Sequence, residues 1–221
     1  YETFCEEYAV KLPVNGYWNN EPIDMDEFDD HCIHFVVRET VTNDIVGYTR
    51  ALPCERAKQI GDFYSSHEFD LSAIKALPGK FLEIGRTCIR KDYRYGATIA
   101  VLWVKLAQHL LQNGYNYLFG CSSISLADGG LQYSAIMNIV RNKHMSAPDV
   151  RVTPKLPIPC AAGVDISALF PPLLKAYTRM GAKICGEACW DPDFNVVDVF
   201  VLLDTANLNG RYARHFLRAG E

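Results

Sequence analysis

The chain has 221 residues, 49% of them hydrophobic, with a formal net charge of -4 and a pI near 5.9. That is enough apolar side chain to bury one sizeable core, and the acidic balance excludes a general nucleic-acid binder. No apolar run approaches the roughly 18 to 20 residues of a membrane-crossing helix, and no charged-then-apolar leader opens the chain. The eight cysteines are scattered without a CxxC pair, as expected of reduced core thiols in a cytoplasm.

Residues 2–10 read as the end of a helix, closed by Leu12-Pro13 and a turn-rich loop over 15–22. The chain starts at Tyr1 inside that helix, so a further N-terminal piece is expected. An acidic run holds Asp24, Asp26, Glu27, Asp29 and Asp30. Two β-branched segments, 32–38 and 45–52, flank Thr42-Asn43-Asp44 as an antiparallel hairpin would, and Pro53 stops the second. Short helical patterns broken by polar residues fill 55–77. A strand over 80–90 carries Glu83 and Arg86, and a basic turn then leads into a helix over 98–112, in which Ile99, Leu102, Leu106 and Leu110 recur at helical spacing. Gly114 caps that helix and 115–121 is a further strand, which completes a βαβ unit whose turn offers backbone N–H groups at a helix N-terminus. Helices are expected near 129–142 and 167–179, and a closing strand pair over 183–187 and 196–203. The Pro-rich stretch 148–159 is too long for an ordinary connection and is a candidate lid or pocket wall.

Several segments together resemble the ornithine lipid N-acyltransferases, called hemolysin-like, of the GNAT superfamily. They are Glu27-Phe28-Asp29 to His34, Val46-Gly47-Tyr48-Thr49-Arg50-Ala51-Leu52-Pro53, Leu82-Glu83-Ile84-Gly85-Arg86, Asp92-Tyr93-Arg94, Tyr117-Leu118-Phe119-Gly120-Cys121, Gly186-Glu187-Ala188-Cys189-Trp190-Asp191-Pro192-Asp193-Phe194 and Arg211-Tyr212-Ala213-Arg214-His215-Phe216. A more distant resemblance, to the acyl-homoserine lactone synthases, covers the first half through Asp26, Asp29, the strand end Arg50 to Pro53 and the Glu-x-x-Arg pattern of Glu83 and Arg86. The resemblance implies a single α/β domain of GNAT type over 1–221, a mixed central sheet with a splayed strand pair and flanking helices. It also implies that the first strand and part of the first helix of that fold precede Tyr1. The implied reaction moves a 3-hydroxy fatty acyl group from acyl carrier protein to the α-amine of ornithine, giving lyso-ornithine lipid. Alternatives are another acceptor such as glycine or tyrosine, or an acetyl-CoA-dependent small-molecule N-acetyltransferase. No resident cofactor is implied. The donor arm is the 4′-phosphopantetheine of the carrier protein, with CoA as alternative, and the setting is cytoplasmic, with peripheral contact at the inner membrane left open.

Amide formation from a thioester requires a neutral amine, a base for its proton and donors for the oxyanion. Glu83 is the candidate base and Arg86 its catalytic companion; strand alternation puts Phe81, Glu83 and Gly85 on one face and Leu82, Ile84 and Arg86 on the other. The competing reading is a surface glutamate paired to Arg86. Asp26 and Asp29 are candidate ligands of the acceptor's ammonium groups, against a plain solvated charge run. Arg50 fixes a carboxylate or, as favoured here, buttresses the acidic loop. Arg90, Lys91, Arg94, Gly96 and Ala97 form the candidate donor site, suited to a phosphopantetheine and the acidic face of a carrier protein, against a solvated cationic face. Only one glycine stands in Arg94-Tyr95-Gly96-Ala97, where the usual phosphate loop has more, and this favours a carrier-protein donor. His31 and His34 around Cys32 match no metal-ligand spacing, and Cys121 reads as packing.

Overall fold

The computed structural model describes residues 3, 5–6, 16–18, 20–94, 97–161, 164 and 166–208. Most of the helix expected over 2–10, and the Arg211 to Phe216 motif, lie outside them. In chain order the elements are β1 (Gly16–Trp18), β2 (Glu21–Ile23), β3 (Ile33–Arg38), β4 (Ile45–Pro53), α1 (Cys54–Ala57), β5 (Phe69–Asp70), α2 (Ser72–Lys75), β6 (Phe81–Ile89), α3 (Thr98–Gln112), β7 (Tyr117–Ser125), α4 (Leu131–Ile139), β8 (Thr153–Pro154), α5 (Pro172–Met180), β9 (Lys183–Ile184), β10 (Cys189–Asp191) and β11 (Val196–Asp204). The stretch read as a loop over 15–22 is instead a small hairpin, β1 with β2, turning at Asn20 in the left-handed region. Helix α5 starts at Pro172, later than 167, because Pro171 holds an extended conformation and a proline suits the first helical position.

The main sheet runs β10-β11-β7-β6-β4-β3, with β9 on β11. Its neighbours are antiparallel except β6 and β7, which are parallel and joined through α3. That parallel pair is registered only from Phe81 opposite Tyr117 to Glu83 opposite Phe119, although β6 continues to Ile89 and β7 to Ser125. Beyond this point the strands part. Gly120 stands where they separate, and a Cβ there would collide with the carbonyl oxygen of Ile84, so no side chain fits. Strand β7 outruns its expected end at 121 because β11 pairs with it to Ser125, through serines that carry no strand signal of their own.

Alternation sorts the core onto the two faces. Leu82 and Ile84, Leu118 and Ile124, and Val197, Val199 and Val201 pack with Leu106 and Leu110 of α3, Ile136 of α4 and Leu174 of α5. Phe81, Phe119, Phe200 and Leu202 pack on the opposite side with Phe28, Phe63, Leu71 and Ile74. The polar side chains of interest lie on this second face, which is covered by short turns and loops rather than by long helices.

The Pro-rich stretch 148–159, the candidate lid or pocket wall, follows the far edge of the sheet together with the residues just before it. Ser146 N–H donates to Ile184 O, Val152 N–H to Cys185 O, and Trp190 N–H donates back to Leu156 O. It seals that edge, because a Pro-rich chain satisfies its remaining backbone groups by pairing beside β9 and β10.

Candidate active site

A pocket of about 130 Å³ opens where β6 and β7 part, lined by residues that include Arg50, Tyr64, Ser65, Glu68, Glu83, Gly85, Arg86, Cys121, Ser123, Asp191 and Asp198. Three strands supply its floor. Glu83 shares its face of β6 with Phe81; Cys121 and Ser123 follow Phe119 on β7; Asp198 lies between Val196 and Phe200 on β11, directly across from Ser123.

Glu83 is buried, not at the surface, and it is not the partner of Arg86. Its Oε1 accepts from Ser65 N–H at 2.7 Å and from Ser65 Oγ at 2.5 Å, and its Oε2 accepts from Tyr64 N–H at 2.7 Å. Burial raises its pKa, and these donors only partly counter that. The result is a desolvated carboxylate held in one orientation beside the gap. Cys121 Sγ lies 3.4 Å from Ser65 Oγ, so thiol, hydroxyl and carboxylate form a short chain. Burial, and then the charges of Glu68 and Asp198, push the Cys121 thiol well up, which keeps it protonated and unsuited to carry an acyl group.

Strand alternation had placed Arg86 on the face opposite Glu83; the structure brings both to the pocket. Tyr48 pairs with Cys88 and Arg50 with Gly85, so β6 holds one extra residue against β4. Arg86 sits in this bulge at φ 53, a left-handed conformation costing about 1 kcal/mol or more for a non-glycine residue. Its guanidinium donates to Asp24 at 2.6 Å and to Asp26 at 3.1 Å and lies over the Tyr64 ring.

Arg50 is buried and engages both loop aspartates, at 2.7 Å to each Asp26 oxygen and 2.7 Å to Asp29 Oδ1. Asp29 Oδ2 in turn accepts from Asp26 N–H, and Asp26 Oδ1 from Phe28 N–H. Burial alone would raise the Asp26 carboxyl, but Arg50 and Arg86 outweigh it and hold the pKa below the ordinary value. Asp26 and Asp29 thus stand behind Arg50 with their oxygens turned to guanidinium and backbone, and neither contributes to the pocket lining.

The donor-site candidates gather at the far end of β6. Arg90, Lys91, Arg94 and Ala97 are exposed around the start of α3; Arg90 lies 3.6 Å from Asp44 and over Tyr93, and Arg94 Nε donates to Ile89 O at 3.0 Å. Gly96 lies outside the described residues.

Sequence reasoning missed Ser65, Glu68, Asp191 and Asp198. Asp198 did carry a signal, a lone carboxylate inside Val196-Val197-Asp198-Val199-Phe200. Glu68 carried none, because only the turn over Tyr64–His67 delivers it to the pocket. Asp198 is 6% exposed and accepts from Ser123 Oγ at 2.7 Å. Burial raises the pKa of both Asp198 and Glu68, and for Glu68 the neighbouring Asp198 charge adds to it.

The acetyltransferase (GNAT) domain family matches residues 1–104. A protein of Rhizobium meliloti (strain 1021) named L-ornithine N(alpha)-acyltransferase is 31% identical over 231 residues, covering 98% of this chain and 77% of its own length. This chain belongs to the L-ornithine N(alpha)-acyltransferase family. A member from Rhodobacter capsulatus is 30% identical over 234 residues, across 100% of this chain and 89% of its own. The architecture is also similar to that of a CoA-dependent acyl-homoserine lactone synthase solved with SAM and isopentyl-CoA, at TM-score 0.51 and 14% identity, over 96% of this chain and 76% of the other. The family and the parted β6–β7 pair make this a GNAT-type acyltransferase. No helix among the described residues is long and apolar enough to cross a membrane.

Proposed function

We propose that this acyltransferase moves a 3-hydroxy fatty acyl group from the 4′-phosphopantetheine arm of acyl carrier protein to the α-amine of ornithine, forming lyso-ornithine lipid. The names of its relatives support the acceptor. The observation that carries the reading is the buried, acid-lined pocket at the gap between β6 and β7, where a cationic amine meets a desolvated carboxylate.

The thioester lies in the gap, with its pantetheine arm leading out past Arg90, Lys91, Arg94 and Ala97. The acceptor's α-ammonium gives one proton to Glu83, whose raised pKa suits a general base. The free amine attacks the thioester carbon, the C–N bond forms, and the tetrahedral oxyanion collapses with cleavage of the C–S bond. The departing thiolate takes the second amine proton. Arg86, held by Asp24 and Asp26, presents its cation to the acceptor's carboxylate, while Arg50 with Asp26 and Asp29 forms the frame that fixes it.

Mass spectrometry of lipids from cells expressing the chain tests this reading. An ornithine-linked acyl amide that disappears without the chain is the expected product; extracts with no such amide contradict it.

A further inference from the structure

The pocket's charges do not balance on both walls. On one side Arg50 and Arg86 are matched by Asp24, Asp26 and Asp29. On the other, Glu68, Asp191 and Asp198 join Glu83 in the lining, and neither Glu68 nor Asp198 is ion-paired to a described lysine or arginine. Asp191 spends one oxygen on the N–H groups of Asp193 and Phe194, and Asp198 takes a hydroxyl from Ser123. Glu68 Oε2 is out of solvent contact and accepts from nothing. A buried carboxylate oxygen without a donor is costly, and Glu68 and Asp198 repel each other across one cavity when both are charged, a cost that a cationic partner relieves. Among the described residues no group of His, Cys, Asp and Glu is placed to hold a metal ion. An organic cation small enough for a pocket of about 130 Å³ suits these groups.

We infer that Glu68 and Asp198 seat the side-chain ammonium of the acceptor, and so are the residues that select a diamino acid over a neutral one. The inference rests on the reading above, in which the α-amine faces Glu83 and the thioester. With the α-ammonium at β6 and the carboxylate toward Arg86, an acceptor with a second cation at the end of a short alkyl chain places it against β11 and the Glu68 turn. Norvaline, which is ornithine without its terminal amine, is the matched probe.

Purified protein with acyl donor is assayed for acylation of ornithine and of norvaline, in the native chain and in Glu68→Gln and Asp198→Asn. The native chain is expected to favour ornithine by kcat/KM on the order of 10²-fold or more. Each variant should raise the ornithine KM by ~10-fold or more with kcat little changed, and bring the preference over norvaline toward unity. Both substitutions remove a buried repulsion, so their melting temperatures should equal or exceed the native value, whereas carboxylates of purely structural use would melt lower on loss. Should either variant fail to fold, thermal shift of the native chain by free ornithine against norvaline decides the matter alone; equal shifts overturn the inference. Native activity on ornithine with no preference over norvaline, or variants that keep the preference, overturn it and leave the N-acylation reading standing. A native chain that acylates neither removes both.

Discussion

Glu83 is held by three hydrogen bonds from two consecutive residues, Tyr64 and Ser65, and this arrangement decides what its substitution will do. Glu83→Gln keeps the shape but sets an amide NH₂ against N–H donors, leaving at least one of them unpaired, at about 1–3 kcal/mol. We expect a measurable drop in melting temperature together with a fall in turnover of ~10² or more, the scale of a lost general base. A variant with native turnover at saturating substrate would remove Glu83 from proton transfer. Ser65→Ala is the milder test. The Ser65 hydroxyl favours the charged carboxylate, so its loss raises the Glu83 pKa further and should shift the acid limb of the pH–rate profile to higher pH. A profile that does not move would mean that Ser65 and Glu83 are uncoupled in catalysis.

Among the elements, β6 and α3 flank the proposed donor side, and the three cations there are not equivalent. Arg90 is near Asp44 and Arg94 bonds the β6 end through Ile89 O, so reversing either charge also disturbs local structure. Lys91 is exposed at the head of the turn between them and is the cleaner probe. Lys91→Glu should raise the apparent KM for acyl carrier protein, with the effect shrinking as salt rises, since exposed charges are screened beyond about 10 Å at 0.1 M. Equal rates with acyl-CoA and indifference to the change would point to CoA as donor. The βαβ unit was legible because strand alternation, the basic turn and the apolar spacing of α3 are local. The bulge that turns Arg86 toward Glu83 was not, since it depends on which β4 residue faces which β6 residue. Asp198 stood out as a lone carboxylate in an apolar strand, but only the pairing of β11 with β7 sets it across from Ser123 and so at the pocket.

Across the whole molecule, the proposed cationic acceptor enters a buried field made by Glu68, Glu83, Asp191 and Asp198, faced by Cys121, Arg50 and Arg86. Glu68, Glu83 and Asp198 have raised pKa values, chiefly through burial. A carboxyl whose folded pKa lies above its unfolded one contributes stability at low pH and loses it as pH rises through the folded value. The empty protein should therefore lose part of its stability above the ordinary carboxylate range. Ornithine should restore it, so that its thermal shift grows between about pH 5 and pH 8; a shift that is flat or shrinks with pH contradicts the charge assignment. In the proposed pose the same field selects which amine reacts: the terminal ammonium sits away from the gap while the α-amine faces Glu83 and the thioester. The most direct measurement is fragmentation mass spectrometry of the product formed by the purified chain from acyl carrier protein thioester and ornithine. Acylation on the α-nitrogen, with the terminal amine free, is the expected result. Acyl groups on the terminal nitrogen, or no amide product from a folded chain, would contradict it.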